Sequence, residues 1–67
     1  MLTMHATSKR DGNGYRPMIT VRKSNGQMLG SRTSKTLWFI AADTARIWAM
    51  IAARDAAKAR PDLLRVS

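Results

Sequence analysis

The sequence predicts an α+β fold, a three-stranded antiparallel β-sheet packed against one C-terminal α-helix in the order βββα. Three observations predict it. Residues 15–23, YRPMITVRK, alternate apolar and polar side chains with the period of a strand. Ser24-Asn25-Gly26 follows them, and Asn-Gly tolerates the positive φ that a hairpin reversal needs. Finally, residues 37–51, LWFIAADTARIWAMI, pass from a short apolar run into helical spacing without a linker, so a strand end feeds directly into the helix that covers the sheet.

In chain order, residues 1–14 read as a flexible basic arm. Lys9-Arg10 and Gly12-Asn13-Gly14 bring charge and backbone freedom. His5, the only histidine, sits there without neighbours of catalytic or metal-binding type. Residues 15–60 are expected to form a single βββα domain. In its first strand Tyr15, Pro17, Ile19 and Val21 share one face, and Arg16, Met18, Thr20 and Arg22 share the other. Pro17 cannot donate to a ladder, so this end is expected at an edge or just outside the pairing.

Two hairpin registers are open. A two-residue loop sets Val21 opposite Gly30. A three-residue loop with a left-handed Gly26 sets Val21 opposite Leu29 and Ile19 opposite Ser31. The second keeps the larger apolar groups together, and a one-residue slip would reverse every side chain. It is the expected register, and it gathers Arg16, Thr20, Arg22, Met28 and Arg32 on the face away from the helix.

A third strand is expected over residues 36–40, with Leu37 and Phe39 on the helix side and Trp38 among the arginines. The helix is expected over residues 42–60. It is rich in alanine, the best helix former, and Asp43 serves as its N-cap or as an acid in its first turn. Thr44, Ile47, Trp48, Ile51 and Ala52 lie at the spacing of a buried stripe. Pro61 stops the helix, and residues 61–67 are a C-terminal tail that either docks or frays.

Size and charge bound the function. A chain of 67 residues is one domain that buries only about 60% of its unfolded surface. With no cysteine there is no disulfide framework and no thiolate metal site. Eight arginines and four lysines stand against four aspartates and no glutamate, a net charge of +8. Such an excess attracts polyanions, and the arginine fork suits phosphate and guanine edges. The charge is uneven, +6 over residues 1–37 against +2 over 38–67. No stretch approaches the roughly 18 apolar residues of a membrane span, and the N-terminus lacks a signal-peptide core. A cytoplasmic protein without membrane contact is expected. No carboxylate pair, metal-ligand spacing or activated hydroxyl is visible, so catalysis, metals, cofactors and a small-molecule substrate are not expected.

Residues 39–48, FIAADTARIW, carry a resemblance. They resemble the passage from last strand to helix, F-x-T-x-x-E-A-x-x-W, of the integrase arm-binding domains, a class that shares its plan with the ethylene-response-factor type DNA-binding domain. Phe39, Ala45 and Trp48 match in place, while Ala41 and Thr44 stand where the pattern has threonine and glutamate. The resemblance implies a sheet that enters the DNA major groove with the helix behind it. It also implies an accessory factor of phage, plasmid or transposon type. On that basis Arg16, Thr20, Arg22 and Arg32 would face double-stranded DNA. Lys23 and Lys35 would approach phosphates, and Trp38 would pack at the interface or in a structural role beside it.

The alternative is a protein–protein module, a small accessory or inhibitory protein or a homodimer, docking through residues 55–60 and the tail. RNA is a weaker partner, since the paired aromatics of single-strand readers are missing.

Overall fold

The computed structural model describes residues 1–67, in the order β1 (Leu2–Asp11), β2 (Gly14–Arg22), β3 (Met28–Thr33), α1 (Ala42–Ala59) and β4 (Leu64–Val66). The strands form one sheet in the order β3-β2-β1-β4. β1, β2 and β3 pair antiparallel, whereas β4 pairs parallel to β1. The α+β class, with one helix laid across a sheet, is as expected. The sheet is mixed rather than wholly antiparallel, and its strands are partly different segments.

The largest correction concerns residues 1–14. They are not an arm, because Leu2–Asp11 is a central strand of the sheet. The physical reason is a second hairpin. Asp11 pairs with Gly14 around a two-residue loop, and Gly12 takes φ 67° while Asn13 keeps a negative φ. A glycine at the first central position, with positive φ there alone, suits the type II′ reversal that matches strand twist. Leu2, Met4 and Ala6 then fall on one face and Thr3, His5 and Thr7 on the other.

The expected third strand shrinks to one residue pair. Phe39 exchanges both backbone hydrogen bonds with Tyr15, at 2.6 and 2.8 Å, and nothing else in residues 36–40 joins the sheet. β3 already holds that edge of β2 as far as Ser34, whose N–H reaches the Pro17 carbonyl at 2.9 Å. The chain swings out over residues 34–38 and returns one step further along. Ser34 Oγ stabilises the excursion by accepting from the N–H of Leu37 at 3.1 Å.

α1 begins after Ala41, which is extended and makes no side-chain cap, so Asp43 is the acid of the first turn. The helix ends one residue before Arg60, whose N–H bonds to the Ala56 carbonyl at 3.0 Å, with Pro61 next. The tail docks: the Leu2 N–H bonds to the Leu63 carbonyl at 2.7 Å and the Ser67 N–H to the Met4 carbonyl at 2.9 Å. The single domain therefore runs from β1 through β4.

The face that α1 presents to the sheet is the second correction. Ala45, Ala49 and Ala53 are the buried helix residues, at 0–1% exposure, while Ile47, Trp48 and Ile51 are 45–52% exposed. Of the expected stripe Thr44, Ile47, Trp48, Ile51, Ala52, Ile47 and Ile51 thus turn outward, Trp48 and Ala52 border a cleft beside the sheet, and Thr44 is half-buried. Alanine lets the helix axis approach the strands, and Met4 of β1, 3% exposed, fills the space between. Trp48 leans over one side and stacks on Phe39, centroids 6.1 Å apart. No large side chain is wholly buried. No helix is long and apolar enough to cross a membrane.

Gly14 is the one glycine packed closely against other chain. A Cβ placed there would lie 2.0 Å from the Trp38 ring and 2.7 Å from the Phe39 carbonyl oxygen. Gly30 has open space around it and no positive φ. In thermal unfolding, Gly14→Ala is expected to cost about 1–3 kcal/mol by overpacking, and more than about 4 °C in Tm at this chain length. Gly30→Ala is expected to leave Tm within a few degrees.

Candidate nucleic-acid interface

The strand register decides which side chains share the face opposite α1. Directly paired residues point the same way. Pro17 and Ile19 line a cleft with Trp48, Ala49 and Ala52, so these two residues and their partners face the helix. Thr3, His5, Thr7 and Lys9 of β1 therefore lie on the open face. They pair with Arg22, Thr20, Met18 and Arg16 of β2. Ser31 and Thr33 of β3 continue the rows, and Arg65 of β4 lies beside Thr3.

The β2–β3 hairpin departs from expectation by a single residue. Its loop is the three-residue one, with Gly26 at φ 90°, the Lys23 N–H bonded to the Gln27 carbonyl at 2.9 Å, and Asn25 Oδ1 accepting from the Gln27 N–H at 3.0 Å. Arg22 accordingly pairs with Met28. The next pair is Val21 with Gly30, which leaves Leu29 as the extra residue of a bulge. Beyond the bulge Ile19 pairs with Arg32 and Thr20 with Ser31. The loop follows the expected register, while the strand follows the other one. Arg32 is consequently not on the open face. It lies on the helix side and lines the cleft with Pro17, Ile19, Ser34, Leu37 and Trp48.

The remaining expected residues lie as follows. Arg16, Thr20 and Arg22 share the open face, although Thr20 is only 8% exposed. Lys23 at the hairpin tip and Lys35 in the 34–38 excursion are exposed at the sheet margin. Trp38 closes one end of the face. Its ring lies against Gly14 and its indole N–H donates to the Asp11 carbonyl at 3.1 Å, so its contacts there are structural. Arg16 is held at the same end by an ion pair to Asp11 and by a 3.2 Å hydrogen bond to the Leu37 carbonyl. Arg22 donates to the Gly26 carbonyl at 3.2 Å.

The register adds Lys9 and Arg65, two cations outside the expected set. Lys9 falls in the expected arm and Arg65 in the expected tail, and the signal for each is period-two alternation, next to a Gly-Asn turn and beyond a helix stop. The open face thus carries Lys9 and Arg16 at one end and Arg22 and Arg65 at the other, with Asp11 its single carboxylate. The row Thr3–Arg22 is six pairs from Lys9–Arg16, a separation of about 20 Å at strand rise. Hydroxyls of Thr3, Thr7, Thr20, Ser31 and Thr33 occupy the space between, together with Met18 and His5. His5 Nδ1 lies 3.2 Å from Ser67 Oγ.

Since the Asp11–Arg16 pair lies at the surface, its net worth is small. Asp11→Ala is expected to change unfolding stability by less than about 1 kcal/mol. It leaves Arg16 unpaired and so is expected to raise, not lower, affinity for a polyanion such as heparin, read as later elution in a salt gradient. Comparison with protein-family models, with curated proteins and with solved structures found no match.

Proposed function

We propose that the chain is a small double-stranded DNA-binding module whose open sheet face enters the major groove. One observation carries the proposal: no other helix or strand covers the face opposite α1, and that face bears cations at both ends. A groove about 12 Å wide has a phosphate backbone on each side. Two pairs of cations about 20 Å apart suit those two backbones, and short hydroxyl side chains between them leave room for base edges. Arg22, Arg65, Arg16 and Lys9 would take the phosphate-proximal positions, and Lys23 and Lys35 would follow the backbone at the margin. Two further features support the class. Three antiparallel strands precede the helix, although β4 follows it, and Phe39 and Trp48 of the integrase-like motif stack at the corner between sheet and helix. On the resemblance such a module would serve as an accessory factor of a phage, plasmid or transposon, and a cytoplasmic setting remains the expectation from the sequence.

The test is fluorescence anisotropy with a labelled duplex of about 20 base pairs across a salt series. Wild-type affinity is expected to fall with a log–log slope of about −0.9 per phosphate neutralised. Arg22→Ala and Arg65→Ala should each flatten the slope by about 0.9 without lowering Tm. Arg32→Ala, on the helix side, should leave both affinity and slope unchanged. Absence of binding at low salt, or an Arg32→Ala loss equal to that of Arg22→Ala, overturns the assignment of the face.

A further inference from the structure

The outward face of α1 is the least expected surface of this protein. Ile40 is 76% exposed, Ile47 52%, Trp48 45% and Ile51 45%. Single exposed apolar residues need no explanation, but these four belong to one helix face and the residue leading into it. The total surface agrees that something is left uncovered. A folded monomer of 7.5 kDa exposes about 4,200 Å² on the usual scaling, whereas this chain exposes 4724 Å². The excess is of the same order as the roughly 800 Å² that each partner of a stable interface hides.

We infer that this face is covered by a second copy of the chain, in an antiparallel two-fold dimer centred near Ala49. The flanking charges identify the occupant. Asp43 and Arg54 are eleven residues apart, close to three turns at 3.6 residues per turn, so both flank the apolar stripe on one side. Thr44 and Asp55 have the same spacing and lie on the other side of the Ile47–Ile51 line, between it and Trp48. A two-fold axis perpendicular to two antiparallel helices keeps each flank on its own side and reverses its direction. Asp43 then meets Arg54 of the partner subunit, Thr44 meets Asp55 of the partner subunit, and Ile47 meets Ile51 of the partner subunit. The midpoints of the three pairings fall within half a residue of Ala49. A parallel arrangement would instead set Lys58, on the centre line of the stripe, against its own copy and align the two helix dipoles unfavourably. An isologous interface requires a patch that complements itself, and this one does.

The dimer is independent of the DNA proposal, because α1 covers the opposite side of the sheet. Both open faces remain accessible in it.

Sedimentation equilibrium of the intact chain from micromolar to several hundred micromolar is the experiment. The wild type is expected to reach twice the mass of 7.5 kDa. Ile47→Asp, at a position exposed in the protomer, is expected to keep the circular dichroism spectrum and weaken association at least about tenfold. Asp43→Arg and Arg54→Asp should each weaken it as well, and the double exchange Asp43→Arg/Arg54→Asp should recover most of the loss. A wild type that stays monomeric throughout overturns the inference, as does Ile47→Asp dimerising like wild type. Should Ile47→Asp unfold, the exchange series decides: recovery in the double variant upholds the antiparallel pairing, and a double variant as weak as the singles overturns it.

Discussion

Close approach of an alanine stripe to two strands is the constraint on which the rest of this structure depends. Ala45, Ala49 and Ala53 are essentially without exposure, and each presents a single methyl group to the sheet. A helix held that near cannot also bury Ile47, Trp48 and Ile51, whose side chains would force the layers apart. The domain therefore keeps a thin core, with Met4 its most buried bulky residue, and displays its bulk outside. A small chain gains only a few kcal/mol from one core in any case. In this one, much of the apolar surface available for burial lies where only another molecule can reach it.

A second constraint acts through single residues in the turns. Gly12 closes the β1–β2 hairpin, and β1 fills the centre of the sheet between β2 and β4. Leu29 enters β3 as an extra residue and reverses the sides of everything after it. Together they decide which of many cations share a surface. Arg32 leaves the open face for the cleft beside Trp48, while Lys9 and Arg65 join Arg16 and Arg22. Net charge is a property of composition, but a binding face is a property of register. One bulge suffices to change its membership.

The two surfaces that result differ in character and lie on opposite sides of the sheet. One is polar, cationic at its ends and stiffened by the antiparallel ladder beneath it. The other is apolar, helical and bordered by charges in a pattern that repeats when inverted. Both reflect the same shortage of core, since a sheet covered on one side only leaves one face to solvent and one helix surface without a mate.

Much of the local structure was legible in the residues. The strand at 14–22, the left-handed Gly26, the start of the helix near Ala42 and its end before Pro61 follow from alternation, turn chemistry and the missing N–H of proline, all of which act over a few residues. The α+β class follows from them too. Three things depended on contacts distant in sequence. Leu2–Asp11 is ordered by β2 on one side and β4, some sixty residues later, on the other. The side of Arg32 depends on where the bulge settles against β2. The rotation of α1 depends on whether methyl groups or bulky side chains fit above Met4. Periodicity shows that a helix has an apolar stripe, but Thr44–Ala52 and the alanines offered two, and only packing against the sheet chose between them.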